Sequence, residues 1–203
     1  SDLERGPEST PDTVRFVSSG RLDNSHKAYD LAIRAFALVK SRRPASRFSY
    51  VIAGDGPDRA ALESLIAAHG LGDEIVLRGW LEPHELPDFY RSADVFLHPS
   101  HFDPFPNAVL EAMASGLPVI GSSAAGSVAD RVVEGETGFI HAPGDVEELT
   151  GKLVLMLESS AAARVAMGRR ARETAERWSV EYHVGVVRAL LDAHRSRSAA
   201  TPR

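Results

Sequence analysis

The sequence predicts an α/β fold: a doubly wound, Rossmann-like parallel sheet of about six strands with helices on both faces. Three observations predict it. Short apolar runs alternate with stretches of helical spacing from Val14 to about residue 194. The connections between them are short, which calls for parallel pairing through right-handed crossovers. And 203 residues suffice for one large domain with its own core.

Each element has its own signal. Val14-Arg-Phe-Val-Ser18 reads as the first strand. Residues 28–42 carry Leu31, Ile33, Ala35, Phe36, Leu38 and Val39 at helical spacing. Phe48–Ala53 reads as a buried strand, ended by Gly54-Asp-Gly-Pro57. Pro57 suits the first turn of a helix reaching about His69-Gly70. Glu74–Arg78 is a third strand, residues 83–91 a short helix opened by Pro83, and Asp94–His98 a fourth strand. Asn107–Ser115 reads as a helix, with Gly116 as its left-handed cap and Pro118 beyond. Leu117–Ile120 and Thr137–His141 complete the strands, and helical patterns fill 145–157, about 160–177, and 180–194. The domain thus runs over 13–194, between a Pro- and Gly-containing linker at 1–12 and a polar tail at 195–203.

Composition excludes several function classes. At 43% hydrophobic and 25% charged it is that of an ordinary globular chain. No apolar run approaches the roughly 18 residues that a membrane span needs. The first residues lack an apolar signal segment, and the absent initiator Met fits a piece of a longer chain. With no Cys, thiolate chemistry and Cys-based zinc sites are out, which fits the cytoplasm. A net charge of −5 argues against nucleic acid as a partner. The one dense basic run is Arg164, Arg169, Arg170, Arg172 and Arg177, interleaved with Glu173 and Glu176. It reads as a solvated helix face with i,i+4 pairs; a peripheral place at the inner membrane face is the lesser reading.

In such a sheet ligands bind outside the carboxyl ends of the strands. The loops after Ser18, Ala53, Arg78, His98 and Ile120 should therefore line the site. Asp103 and Glu111 lie eight residues apart in one of them. Pro104 and Pro106 keep Asp103 out of the helix, while Glu111 lies one turn inside it. Between them, the free amides at the helix start form an anion site. Two acids flanking a phosphate position suggest acceptors for hydroxyls, such as those of a sugar and a ribose. The plain alternative is that Asn107 is only a helix cap and Glu111 a solvated residue. In the first loop, Gly20, Arg21 and Lys27 offer a planar fork and a point charge suited to a diphosphate. Their plain alternative is a pair of surface cations.

Weaker signals surround this set. His98, His101 and Asp103 have a faint look of a metal site, but a structural His98 ending a buried strand fits better. Gly54-x-Gly-x-x-Arg59 lacks the third Gly of a dinucleotide fingerprint and follows the second strand, so NAD is not expected. Trp178 reads as core.

The ordered set of motifs resembles a known family. It comprises Gly20-Arg-Leu…Lys27…Leu31…Ala35-Phe36, Gly54-Asp-Gly-Pro57, Arg78-Gly-Trp-Leu81, Tyr90…Ala93-Asp-Val-Phe-Leu-His-Pro-Ser100, Asp103-x7-Glu111-Ala-Met-Ala-Ser-Gly-Leu-Pro-Val and Gly135-Glu-Thr-Gly-Phe…Pro143-Gly-Asp. Over about residues 14–180 it is similar to the retaining, GT-B-type glycosyltransferases (group 1, or family 4). That family includes sucrose synthases and many bacterial mannosyl- and glucosyltransferases. The resemblance implies the nucleotide-sugar-binding C-terminal half of a GT-B fold, with the acceptor bound by a missing N-terminal domain. It implies transfer of a hexosyl group, with retention, from a UDP- or GDP-sugar to a lipid-linked or polysaccharide glycan, with no metal and no cofactor. Arg21, Lys27 and Asp103 would be the catalytic set, the two cations on the diphosphate and Asp103 on the sugar hydroxyls. Glu111 would grip the ribose, and Phe105, Pro106, Asn107, Ala108 and Val109 would present backbone to sugar and phosphates. Gly79, Trp80 and Leu81 would meet the base, and Gly20, Gly54 and Gly56 would form turns facing the cleft. The chain departs from the family at Asp103, where Glu is usual, at Ala28, where Gly often follows the Lys, and at Gly126-Ser127 and Ala129-Asp130, which replace a more usual Gly-Gly and Pro-Glu. The alternatives within reach are a nucleotide-sugar epimerase or a phosphorylase of the same fold, and a non-catalytic nucleotide-sugar-binding module.

Overall fold

A computed structural model describes residues 13–178 together with Val184 and Arg188. The linker at 1–12, the tail at 195–203 and, apart from those two positions, the helix read over 180–194 lie outside the described residues.

The described chain runs β1 (Val14–Ser19), α1 (Asn24–Lys27), α2 (Tyr29–Arg42), β2 (Phe48–Ala53), α3 (Arg59–Ala68), β3 (Ile75–Gly79), α4 (Leu86–Arg91) and β4 (Val95–His98). It continues through α5 (Asn107–Ala114), β5 (Val119–Ser122), α6 (Gly126–Arg131), β6 (Gly138–His141), α7 (Val146–Glu158) and α8 (Ala161–Glu176). The six strands form one sheet in the order β3-β2-β1-β4-β5-β6. Every strand pairing in it is parallel.

Alternation along the strands divides the core. Phe16 and Tyr50 pack on one side of the sheet with Leu31, Phe36, Leu62, Leu149 and Leu153 of α2, α3 and α7. Val17, Val51 and Phe96 pack on the other side with Tyr90, Val109, Met113, Val128 and Ala171 of α4, α5, α6 and α8. Burial of both faces explains why β2 reads as one continuous apolar-rich run, buried at every position. The predicted doubly wound architecture is the observed one. Among the described residues no helix is long and apolar enough to cross a membrane.

Three local expectations need correction. The helix read over 28–42 is α2 from Tyr29, and it is preceded by an unexpected short helix, α1, set off from it by the left-handed turn at Ala28 (φ 52, ψ 40). The fifth strand begins at Val119 rather than Leu117. The Leu117 amide is spent on the Ala112 carbonyl, closing α5 past Gly116 at φ 84, and Pro118 has no amide for a ladder. The helix read over 83–91 begins at Leu86, with Pro87 in its first turn. The short α6 was not anticipated, since six residues starting Gly-Ser carry little helical signal. The Arg-rich α8 does show an i,i+4 contact, Arg172 to Glu176 at 3.4 Å. Arg164, however, turns inward onto the Ser159 carbonyl at 2.5 Å.

Candidate functional site

The chain leaves β1 for β2 on one side and reaches β4 on the other. The crevice between the carboxyl ends of β1 and β4 is therefore the point where the winding reverses, the place such sheets bind ligands. Loops from both strands are clamped there. The β1 loop is knitted to the β2 loop by Gly20 N to Ala53 O (2.9 Å), Leu22 N to Asp55 O (3.0 Å) and Asp58 N to Leu22 O (3.1 Å). A Cβ at Gly54 would lie 1.9 Å from the Gly20 carbonyl oxygen, and one at Gly56 would lie 2.4 Å from that of Leu22. These glycines serve backbone-to-backbone packing, which is what holds the first loop in place.

That loop carries α1. Asp23 caps it through the Ser25 amide at 3.1 Å, and Asp58 accepts the Asn24 amide at 2.6 Å. Lys27 closes α1 and ion-pairs with Oδ2 of Asp103. The β4–α5 loop is in turn fastened to α1 by His101 N to His26 O at 2.8 Å. Its other side is fixed to the segment before α6. The Asp103 amide donates to Ala124 O at 3.3 Å, and its carbonyl accepts from Gly126 N at 3.0 Å. Side chains are excluded at Gly126, where a Cβ would meet the Pro104 carbonyl oxygen at 2.2 Å.

Two polar chains result. In the first, Oδ2 of Asp103 takes Lys27 and also lies 3.2 Å from Nε2 of His98, the last residue of β4. Ser100 Oγ stands 2.9 Å from the same ring nitrogen. Burial alone would raise the Asp103 pKa, but the hydrogen bonds from His98 and Lys27 outweigh it and hold the carboxyl at about 2. Burial, together with the nearby Lys27 charge, lowers the pKa of His98 despite Asp103. In the second chain, Tyr90 on α4 donates its hydroxyl to Oε2 of Glu111 at 2.9 Å and accepts from Ser19 Oγ at 2.8 Å. Burial pushes the Tyr90 phenol well up, so it stays a donor.

Between these chains α5 begins. The sequence offered Asn107 as a possible cap, but Pro106 occupies the cap position and no side chain closes the helix. Of the five residues expected to present amides, Pro106 has none and Val109 N is held by Pro106 O at 3.2 Å. The amides of Phe105, Asn107 and Ala108 have no hydrogen-bond partner among the described residues.

The structure thus gathers Lys27, Asp103, Glu111 and the α5 start at one crevice. Arg21 is exposed and makes no side-chain hydrogen bond or ion pair to a described residue. Trp80 is 71% exposed, with its indole N–H on Glu82 at 3.2 Å, and Leu81 is half-buried. Sequence reasoning missed Ser19 and Tyr90 as partners of the site, and gave His98 only a structural part. Ser19 and His98 share a readable signal: each is the polar residue ending a buried strand at the carboxyl edge. Arg131 was also missed. Its guanidinium is buried between the Phe105 ring (4.7 Å) and the Trp178 ring (4.1 Å). No group of three or more His, Cys, Asp or Glu among the described residues could hold a metal ion.

Comparison with known proteins follows this geometry. The family described as "Glycosyl transferases group 1" matches residues 3–174. Sulfoquinovosyl transferase SQD2 of Arabidopsis thaliana is 37% identical over 150 residues, covering 71% of this chain and 28% of that protein. D-inositol 3-phosphate glycosyltransferase of Acidothermus cellulolyticus is 31% identical over 186 residues, covering 87% of this chain and 41% of that protein. The structure of Anabaena Alr3699/HepE in complex with UDP superposes with a TM-score of 0.76 at 22% identity, covering 89% of this chain and 49% of that one. The chain therefore spans less than half the length of each of these proteins.

Proposed function

We propose that this chain, which belongs to the group 1 glycosyl transferases, is the donor-binding half of a retaining enzyme that moves a hexosyl group from a nucleoside-diphosphate sugar to an acceptor hydroxyl. The observation that carries this reading is the crevice itself: a lysine and an uncapped helix start beside two carboxylates held as hydrogen-bond acceptors. A diphosphate is met there by the Lys27 ammonium, the exposed fork of Arg21 and the open amides of α5. Those donors stabilise the charge that builds on the departing diphosphate. Asp103 accepts from the sugar hydroxyls and Glu111 from the ribose. Trp80 and Leu81 lie on the loop that meets the base. The names of its relatives and the UDP of the superposed structure support a nucleotide-sugar donor. Because the chain spans less than half of those proteins, the acceptor binds elsewhere in a longer protein, and this chain alone binds nucleotide without transferring sugar.

A calorimetric screen of UDP-, GDP- and ADP-sugars tests the reading. One donor should bind the wild-type chain. Lys27→Ala and Glu111→Ala should each weaken that donor by ~10- to 100-fold, as expected when a hydrogen bond to a charged group is lost. Equal affinities for wild type and both variants would remove the site assignment.

A further inference from the structure

Asp103 is one methylene shorter than the residue its relatives are expected to carry, so its placement depends on what holds it. Two groups meet Oδ2: the Lys27 ammonium, which donates to it, and the His98 ring, whose Nε2 lies 3.2 Å away and donates in its Nε2–H tautomer. Oδ1 has no hydrogen bond from a described residue. The two donors differ in kind. Lys27 is a point charge on a four-carbon stem at the end of a four-residue helix, free to turn toward a second anion. The His98 ring is 2% exposed, is carried by a central strand, and stacks on Phe96 with centroids 6.4 Å apart at 12°. It cannot follow a ligand. Asp103 is also fixed through its backbone by Ala124 and Gly126. What remains free is the torsion of the carboxylate, and a rigid donor on one oxygen fixes it.

We propose that His98 is a positioning residue of the donor site: its Nε2–H holds Oδ2 of Asp103 so that Oδ1 stays presented to a hydroxyl of the donor sugar when Lys27 engages the diphosphate. The proposal rests on the donor-site reading above. It places a His98-dependent increment in the sugar, not in the nucleotide. It also requires the Nε2–H tautomer, with Ser100 Oγ as a second acceptor of the same proton. In the opposite tautomer Ser100 would donate to Nε2, and Asp103 would lose the bond.

The test uses the 203-residue chain, titrated with the nucleotide sugar it binds and with the matching free nucleoside diphosphate. His98→Phe keeps the stack on Phe96 and removes the N–H; His98→Gln returns an N–H near the Nε2 position. His98→Phe should weaken the nucleotide sugar by ~10-fold and leave the diphosphate within about 2-fold, and His98→Gln should recover most of the difference. Equal losses for both ligands, or no loss for either, would show a merely structural histidine and overturn the proposal. Should His98→Phe not fold, the tautomer decides: a long-range 1H–15N spectrum of the wild-type chain should show His98 protonated at Nε2, and protonation at Nδ1 alone overturns it. Wild-type chain that binds no nucleotide sugar brings down the donor reading, and this inference with it. Binding that is intact but indifferent to His98 brings down this inference alone.

Discussion

The two ends of the segment from Asp103 to Glu111 are held in opposite ways. Asp103 sits in a loop, and its carboxylate is balanced by a cation and a buried imidazole on one oxygen. Glu111 sits within α5, and its carboxylate takes a neutral phenol that is itself fed by Ser19. At the first end the electrostatics of the site depend on a lysine that can leave. At the second end nothing charged has to move, because Tyr90 and Ser19 are anchored in α4 and β1. Under the proposed donor-site reading the difference would separate the tasks: the Asp103 end would respond as an anion arrives, while the Glu111 end would be a fixed acceptor for hydroxyls.

The largest break in that contrast should come from the backbone. Gly126→Ala drives a Cβ into the Pro104 carbonyl and displaces the loop bearing Asp103. Overpacking of this kind costs about 1–3 kcal/mol, visible as a lower melting temperature. Nucleotide-sugar affinity should fall more than that for the free diphosphate; equal falls would mean the loop is not what aims Asp103. Tyr90→Phe is smaller. It removes the hydroxyl between Ser19 and Glu111 at a cost of about 0.5–1.5 kcal/mol in denaturant unfolding. It should lower affinity for nucleotide and nucleotide sugar alike, since the ribose is common to both. A selective loss of the sugar would reverse the assignment of the two ends.

The smallest effect near neutrality needs no mutation. Burial lowers the pKa of His98 and of His141 below 6.5, so both are lower folded than unfolded. Their contribution is present above pH 6.5 and is lost as the pH falls toward the folded values. Asp103, at about 2 in the fold against 3.8, contributes above pH 4 and is lost between about 4 and 2. Stability measured against pH should therefore decline in two stages on the acid side. A profile that stays flat as the pH falls below 6.5, up to the Asp103 transition, would mean these histidines are not held neutral.

Much of this was legible because period and punctuation agree. The alternation of apolar runs and helical stretches predicted the sheet, and the loops after the strands pointed to the crevice where Lys27, Asp103 and Glu111 come together. What escaped was set by contacts distant in sequence. Ala28 carries no mark of its left-handed turn in its own side chain; the only hint was the Gly often found at its place in the resembled family. Tyr90 looks like any helix aromatic until β1 brings Ser19 to it. His98 read as a contented core histidine, and it is buried and bonded, but its partner is the very carboxylate the loop presents. Pro106 displaced Asn107 from the cap, which no local rule would favour. Arg131 joined Phe105 to Trp178 across 73 residues of chain, a span no periodicity reports.

Ala28 has one more consequence. It is the sole non-glycine residue at positive φ among those described, and it immediately follows Lys27. A left-handed turn on a residue with a Cβ costs roughly 1–2 kcal/mol, on the order of a tenth of what a domain has to spare. The turn ends α1 at its fourth residue and lets α2 leave along a new axis, so Lys27 faces the crevice instead of continuing along a helix surface. A methyl group at that corner narrows the backbone's choice of shapes, as glycine would not. The direction of the ammonium is thereby written into the main chain: the pairing of Lys27 with Asp103 begins with a steric decision in the backbone.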